Sequence, residues 1–370
     1  MIKFIYKKIV KPILFKFPAD DVHTFFLKRG RFLGGFAFTK WVAKKILSFK
    51  NDNLNQEVAG LSFSNPIGLA AGFDYDADLI DILPSVGFGF HTIGTVTNLP
   101  YAGNTRPMLG RLPKSKSLLV NKGFKSMGME SVLNKINKRE KIIPLGISIG
   151  STNKAYNNME EMAGDIILSF ERAIKEDYFN YFELNISCPN LVNSESLNNK
   201  FDTPTGLNFL LFKLDKLSIN KPLFIKMYLE KSADDTLALA EVASKYLFVT
   251  GLIFSNLVKD RTNSAFDKEE ISNAGKGNFS GKPTEKITNN LISVIYKKYK
   301  DRFILIGCGG VFTGADAYEK IKRGATLVQM ITGMIYEGPS QIGLINKELS
   351  ELLQKDGYKN INEAVGEYKD

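Results

Sequence analysis

In this chain of 370 residues, the side chain best suited to acid–base chemistry is the thiol of Cys188. It lies in the segment Asn185-Ile-Ser-Cys-Pro-Asn190. A thiol has an ordinary pKa of about 8.5, so it can act as a general base near neutral pH where neighbouring groups favour the thiolate. Asn185 and Asn190 flank it with amide groups that can pair with the edge of a planar amide or imide. A single cysteine can instead be a small, buried residue without chemical function. We interpret Cys308 in this way. For Cys188, the flanking asparagines and proline favour a catalytic function.

Two further asparagines, Asn121 and Asn256, extend this amide-rich pattern. A single asparagine in a loop is usually a turn former, but four at the ends of predicted elements indicate a site lined by amide groups. Such a site suits a flat heterocycle that forms hydrogen bonds. Lys226 ends the apolar run Leu-Phe-Ile-Lys-Met and is predicted either to face solvent or to hold a negative or electron-rich group. At the mouth of a binding site the second interpretation is favoured.

Glycine-rich loops at three places predict a phosphate site. Gly-Cys-Gly-Gly at residues 307–310 and Gln-Met-Ile-Thr-Gly at residues 329–333 end two predicted strands, and Asn-Phe-Ser-Gly-Lys-Pro occupies residues 278–283. Glycines let backbone N–H groups approach an anion, and a helix that starts just beyond them adds its dipole. One Gly-Gly pair is weak evidence because many tight turns contain one, but the combination favours phosphate binding. The small residues within 70–74 also allow a flat ring to approach closely.

These residues must be positioned by strands, and the chain has eight candidates, each followed by a helical or polar stretch. The alternation predicts parallel βαβ units. Eight evenly distributed units favour a closed (β/α)8 TIM barrel over the competing doubly wound open sheet, and in such barrels the chemistry lies at the carboxyl ends of the strands. The predicted strands are residues 66–71, 88–96, 143–149, 181–186, 222–227, 251–254, 303–306 and 327–331.

The positive charge of the chain is confined to its beginning. The net charge is +10, from 49 basic and 39 acidic residues, and residues 1–50 contain 12 Lys and Arg against only Asp20 and Asp21. Residues 51–370 therefore carry 37 of each sign and balance to zero. We predict two domains, a basic helical extension at 1–50 and a barrel at 51–370.

The extension is predicted to form amphipathic helices. Isoleucines at positions 2, 5, 9 and 13 suit one helix face, and Asp20 is expected to cap a second helix that ends before Gly30. Basic amphipathic helices with aromatic residues tend to lie in a membrane interface, where anionic head groups and acyl chains satisfy the two faces. The alternative is a helical cap packed on the barrel, with lysines that keep it soluble. Nucleic acid is disfavoured as a partner because no binding motif accompanies the basic residues.

Several other classes of protein are excluded or disfavoured by composition. Apolar residues make up 44% and charged residues 24%, which is ordinary for a globular protein, and no apolar run is long enough to span a bilayer. No secretory signal is visible, and two cysteines cannot form a disulfide framework, so a reducing compartment is expected. Because His23 and His91 are far apart in sequence, no metal centre is expected.

Five motifs spread over nearly the whole chain carry a resemblance to a known family: NPIGLAAGFD at 65–74, IGTVT at 93–97, NISCPN at 185–190, SGKP at 280–283 and IGCGG at 306–310. They resemble dihydroorotate dehydrogenase, an FMN-dependent barrel enzyme of pyrimidine biosynthesis. The basic extension resembles the quinone-linked, membrane-associated class 2. The resemblance implies that Cys188 takes the C5 proton of dihydroorotate while hydride passes from C6 to flavin N5. It implies a quinone path near His23 and Arg111, although His23 could equally be a helix-packing residue.

The resemblance also assigns residues to the two ligands. The expected substrate residues are Asn121, Phe124, Asn185, Asn190 and Asn256. The expected FMN residues are Ala71, Gly72, Tyr75, Thr95, Ser148, Asn185, Lys226, Ser255, Gly281, Gly310, Ile331 and Thr332.

Some positions depart from the class 2 pattern. The base is Cys188 where serine is usual, which is a class 1 feature, and Tyr75 stands where a lysine close to the flavin and the substrate carboxylate is typical. Lys122 and Lys125 are nearby replacements for that cation. Leu257 and Ile331 replace an expected threonine and tyrosine.

We therefore expect a monomeric, peripheral enzyme on the cytoplasmic face of the cell membrane, which oxidises dihydroorotate with FMN and a quinone. Because the departures cluster around the substrate, two alternatives are kept. The first is an FMN barrel oxidoreductase that acts on another small heterocycle or uses fumarate or NAD as acceptor. The second is a flavin-binding membrane protein without catalytic activity.

Overall fold

The computed structural model describes residues 2–136, 142–191, 200–254 and 256–368. Thirteen strands lie in these residues, and eight of them close into a parallel barrel in the order β3-β4-β7-β8-β9-β10-β12-β13, with β13 pairing β3. The strands are β1 (Gln56–Val58), β2 (Leu61–Phe63), β3 (Ile67–Leu69), β4 (Phe90–Val96), β5 (Leu109–Leu112), β6 (Ser117–Val120), β7 (Leu145–Ile149), β8 (Tyr181–Asn185), β9 (Leu223–Met227), β10 (Val249–Phe254), β11 (Asn278–Phe279), β12 (Ile304–Cys308) and β13 (Leu327–Met330).

The prediction of a closed (β/α)8 barrel is confirmed, and each of the eight predicted strands overlaps one barrel strand. Most barrel strands are buried along their whole length, because one face packs inside the barrel and the other packs against helices. This double burial explains why they are continuous apolar runs in the sequence.

Fourteen α-helices lie in the described residues, and most of those after β4 cover the outside of the barrel. They are α1 (Ile2–Ile5), α2 (Lys11–Leu14), α3 (Ala19–Gly34), α4 (Ala37–Leu47), α5 (Leu83–Val86), α6 (Met129–Ile136), α7 (Met159–Ala173), α8 (Pro204–Leu214), α9 (Ala233–Ser244), α10 (Lys268–Ser272), α11 (Glu285–Tyr299), α12 (Gly314–Lys322), α13 (Thr332–Glu337) and α14 (Gln341–Asp356). A π-helical segment, Tyr6–Val10, joins α1 to α2.

Large side chains close the amino end of the barrel. Phe90, Tyr181 and Phe224 point inward from β4, β8 and β9 and pack in one cluster. The hairpin of β1 and β2 covers this end through Val58 and Phe63, which belong to the same cluster. The opposite, carboxyl end of the barrel is left for the predicted chemistry.

The helix α3 differs from its prediction at both ends. Pro18 precedes its first residue, and Asp20 lies inside the first turn without capping the helix; its carboxylate accepts hydrogen bonds from Met108 N and Leu109 N. The helix also continues past Gly30 to Gly34. At Gly30 the helix packs closely on Leu79, because a Cβ there would meet the end of the Leu79 side chain and make it shift.

The isoleucine face predicted on the first helices is open to solvent at Ile5, Ile9 and Ile13. The other side of this segment is tied to α13, because Tyr6 Oη donates to Ile335 O at 2.7 Å and Lys7 Nζ lies 2.9 Å from Glu337. The extension therefore packs on the barrel while it presents apolar groups outward. The division of the chain at residue 50 stays a prediction.

Candidate active site at the carboxyl end of the barrel

A cavity lies at the carboxyl ends of the barrel strands. Its walls also include β6 and the helix α3 of the extension. The structure brings most of the predicted site residues to this one cavity. Those that line it are His23, Ala71, Gly72, Tyr75, Thr95, Phe124, Asn185, Cys188, Asn190, Lys226, Asn256, Gly281, Gly310, Ile331 and Thr332.

Four predicted residues are placed differently. Asn121 lies beside the cavity and is nearly buried, with its Oδ1 accepting from Asn104 Nδ2 at 2.9 Å. Ser148 is buried behind the wall, 2.9 Å from Thr95 Oγ1. Arg111 does not line the cavity, since its guanidinium donates to Phe17 O and stacks on an aromatic ring of the extension. Ser255 lies outside the described residues.

Cys188 faces the cavity as a half-buried thiol directly after β8. Burial raises the pKa of this thiol to about 11, and this effect outweighs the Asn190 N–H and the nearby charges of Lys226 and Lys259, which favour the thiolate. The thiol therefore lies at the cavity, but its described surroundings do not make the thiolate dominant at neutral pH. The thiol is mainly protonated in the cavity as it stands.

The predicted amide groups are held in place by hydrogen bonds. Asn185 Nδ2 donates to Thr95 Oγ1 at 2.9 Å, and Asn256 Nδ2 donates to Ser187 Oγ at 2.7 Å. Asn190 Oδ1 accepts from Asn278 Nδ2 at 2.6 Å. Because each amide has at least one fixed partner, the wall is already organised before a ligand binds.

Sequence reasoning missed the residue that joins two of these asparagines. Asn104 Nδ2 donates to Asn121 Oδ1 at 2.9 Å and to Asn190 O at 3.0 Å. Asn104 belongs to a loop far from both in sequence, and nothing in its neighbours marks it. Ser187, the hydrogen-bond partner of Asn256, was also missed. Its place inside the NISCPN motif, two residues after Asn185, could have indicated that it belongs to the site.

Lys226 is the last residue but one of β9, with only 6% of its surface exposed, and it lines the cavity. Glu183, on the neighbouring strand, is the acid that interacts with its charge, and burial raises the pKa of that carboxyl. No salt bridge within the described residues neutralises the Lys226 ammonium. A buried cation of this kind fits an anionic or electron-rich ligand group.

The glycine-rich loops form a cradle at one side of the cavity. Gly281 and Gly310 have φ values of +83° and +74°, in the left-handed region that favours glycine. A Cβ at Gly281 would collide with Lys116 O, and one at Gly310 with Glu285. Ser280 Oγ lies 2.9 Å from Thr332 Oγ1 and joins two of the loops. Backbone N–H groups and hydroxyls of this kind suit a phosphate.

A flat ring could rest beside this cradle. Gly72 has a φ of +112°, and a Cβ placed on it would lie 3.6 Å from Ile331 Cδ1 across the cavity wall. With the Lys226 ammonium and the cradle, the residues present therefore fit both a planar heterocycle and its phosphate. FMN has these two parts.

The extension contributes directly to the cavity. His23 Nε2 lies 2.8 Å from Phe73 O and must donate to it, and its ring packs edge-on against Phe73 and Tyr75. Burial lowers the pKa of His23 to about 4, with the Lys122 charge acting in the same direction. His23 is thus a neutral residue that both lines the cavity and packs the helix. Asp20 and Lys122 are buried beside it. From the sequence, Lys122 is one of two expected replacements for the missing lysine, whereas Asp20 is expected only to cap a helix.

Comparison with known proteins agrees with this geometry. The family model for dihydroorotate dehydrogenase matches residues 53–353. The protein named dihydroorotate dehydrogenase (quinone) in Christiangramia forsetii is 36% identical over 352 residues, which cover 94% of this chain and 99% of that protein. The protein of the same name in Nostoc punctiforme is 34% identical over 380 residues, with 98% of each chain covered.

A solved structure is similar as well. The crystal structure of DHODH from Eimeria tenella in complex with ferulenol superposes with a TM-score of 0.76 and 26% sequence identity, covering 89% of this chain and 93% of that one. The residues matched by the family model, 53–353, contain all eight barrel strands. The chain belongs to the dihydroorotate dehydrogenase family and, with these relatives, to its quinone-linked class of FMN-dependent oxidoreductases.

Proposed function

We propose that this chain oxidises (S)-dihydroorotate to orotate in its barrel cavity, with FMN as the hydride acceptor and a membrane quinone as the electron acceptor, in de novo pyrimidine biosynthesis. One observation carries the proposal: a single cavity contains the Cys188 thiol, the side chains of Asn185, Asn190 and Asn256, the Lys226 ammonium and the glycine cradle. Family membership supports the substrate, and the relatives' names support the quinone.

The proposed FMN site uses two groups of residues. Gly281, Gly310 and Thr332 would hold the phosphate, and the small residues Ala71 and Gly72 would lie against the ring. The polar edge of the ring would be bound by Thr95, Asn185 and Lys226, while Tyr75 and Ile331 would complete its apolar contacts. When bound, FMN supplies the hydride acceptor and passes electrons on to the quinone.

The other residues would act on dihydroorotate. Asn121, Asn190 and Asn256 would bind the amide edges of the substrate, and Phe124 would pack against its ring. The thiolate form of Cys188, after the thiol has lost its own proton, would remove the proton from C5, with an S–H bond formed as the C–H bond breaks. The hydrogen-bonded amides reduce the entropy lost when the substrate is oriented.

An anaerobic experiment tests this function. Addition of dihydroorotate to the flavin-loaded protein is expected to bleach the flavin, and a quinone is expected to restore its absorbance faster than fumarate or NAD does. Absence of bleaching would contradict dihydroorotate as the substrate. Faster recovery of the flavin absorbance with fumarate or NAD would instead show that one of these is the electron acceptor. This alternative is tested because a cysteine base at position 188 is a class 1 feature.

We further propose that the extension binds an anionic membrane surface, so that the protein is a peripheral monomer on the cytoplasmic face of the cell membrane. Among the described residues no helix combines the length and the apolar character needed to cross a bilayer. The segment of α3, α4 and the residues that join them exposes large aromatic groups beside its basic residues. The exposed aromatics are Phe25, Phe26, Phe32, Phe36, Phe38 and Trp41.

Removing two of these aromatic groups is expected to weaken membrane binding. Phe38 is 72% and Trp41 59% exposed, and their rings stack on each other, so the change Phe38→Ser/Trp41→Ser removes apolar surface without disturbing the core. The partition coefficient into vesicles with anionic lipids is expected to fall about tenfold or more. Leu247→Ser is the matched control, because Leu247 is 90% exposed on the barrel. Equal vesicle binding by all three proteins would contradict the proposal.

A further inference from the structure

We propose that Lys122 binds the carboxylate of dihydroorotate and that Asp20, on helix α3 of the extension, is the residue that positions it. This inference rests on the proposed function and adds to it a specificity-determining cation. It also gives the extension a second task, because part of the substrate site would be organised from outside the barrel.

The need for such a cation follows from the charge of the substrate. Dihydroorotate carries a carboxylate, and a carboxylate moved from water into a cavity requires a compensating charge or several donors. In the first motif the residue after Phe73 and Asp74 is Tyr75, which brings no positive charge. Lys226 is assigned to the flavin, and His23 is neutral, since burial holds its pKa at about 4.

Lys122 lies where this charge is needed. Only 6% of the residue is exposed, and it lines the same cavity as Cys188 and Asn190. Its Nζ lies 4.9 Å from the centre of the Tyr75 ring. The ammonium is therefore close to Tyr75, the residue that stands where the family resemblance predicts a lysine. Lys125, the other lysine of this loop, is more exposed and does not line the cavity.

Asp20 attracts the Lys122 ammonium without occupying its hydrogen-bond donors. Its Oδ2 accepts hydrogen bonds from Met108 N at 2.9 Å and from Leu109 N at 3.3 Å, which fixes the carboxylate to β5. Its Oδ1 lies 3.6 Å from Lys122 Nζ, beyond hydrogen-bond distance, and accepts no hydrogen bond from the described residues. The contact is therefore an electrostatic attraction that leaves the N–H donors of Lys122 available to a ligand.

The electrostatic balance supports this division of roles. Asp20 is 5% exposed, so the attraction between the two groups is screened little by water. Burial lowers the pKa of Lys122 to about 8, and Asp20 acts against that change and favours the charged form. Without the carboxylate from α3, Lys122 would lose both its position and part of its charge.

Binding of orotate and of its neutral carboxamide to the flavin-loaded, full-length protein tests the role of Lys122. The readout is the dissociation constant, measured from the change in flavin absorbance. Lys122→Met is expected to weaken orotate binding about 30- to 100-fold and carboxamide binding less than about threefold, because only orotate carries the charge. Lys122→Arg, which keeps the charge, and Lys125→Met, the matched control, are expected to bind orotate within about threefold of the unsubstituted protein.

Asp20→Asn tests the positioning role. It is expected to weaken orotate binding about tenfold, to raise the KM for dihydroorotate more than it lowers kcat, and to leave the carboxamide unaffected. Combined with Lys122→Met, it should add little, because both changes remove the same interaction. A structural role alone would instead weaken both ligands equally and give additive losses.

The outcomes separate the two levels of the proposal. If Lys122→Met binds orotate as tightly as the unsubstituted protein, or loses both ligands equally, the assignment of Lys122 is overturned while the proposed function stands. If the unsubstituted, flavin-loaded protein neither binds orotate nor is reduced by dihydroorotate, the proposed function is overturned and this assignment with it.

Discussion

Replacement of Cys188 by alanine is expected to slow the reduction of bound flavin by dihydroorotate about 10²- to 10⁴-fold, while the purified protein stays yellow. The thiol faces the cavity, and a positioned general base contributes a factor of this size. The methyl group that remains cannot accept a proton. FMN should be retained, because the glycine cradle and Lys226 are unchanged. Rapid anaerobic mixing, followed by flavin absorbance, measures the rate.

Cys308→Ala is the matched control for this experiment. Cys308 is the other cysteine of the chain, and it also lines the cavity, but it ends β12 with only 7% of its surface exposed. Its replacement is expected to leave the reduction rate within a few-fold of the original. A rate in Cys188→Ala that matches this control would remove Cys188 from the reaction.

The rate of flavin reduction is expected to rise steeply with pH. Burial raises the pKa of Cys188 to about 11, so below that value the protonated thiol predominates and the thiolate fraction grows tenfold with each pH unit. From about pH 6.5 to about pH 9.5 the rate should therefore increase about thousandfold. The measurement is the single-turnover rate at saturating dihydroorotate, which separates the chemical step from substrate binding.

The Cys188→Ala variant supplies the reference for this pH profile, because its residual rate should lack the steep rise. A plateau near pH 7 in the unsubstituted protein would contradict the raised pKa. It would mean that Lys226 and Lys259, with the ligands bound, stabilise the thiolate more than burial destabilises it. In either case the pH profile gives the pKa of the Cys188 thiol in the reacting complex.

Local sequence patterns were sufficient to predict the barrel, and the family resemblance added many of the residues expected at the cavity. The eight apolar runs correspond to barrel strands because double burial imposes such runs on the sequence. The glycines of the cradle were recognisable because positive φ values and close approach of backbone exclude other residues. The NISCPN motif directly follows the fourth barrel strand, so its place at the carboxyl end followed from the order of the elements.

Other features depend on contacts between distant parts of the chain and were decided only by the tertiary structure. Asp20 meets Lys122 across about a hundred residues, and Asn104 joins Asn121 to Asn190 by hydrogen bonds that no local pattern encodes. The continuation of α3 past Gly30 to Gly34 was not predicted, and the raised pKa of Cys188 depends on how deeply the folded chain buries it. The sequence by itself thus determined the residue types and the strand ends that carry them. Pairing, burial and charge balance arise only when separate segments pack together.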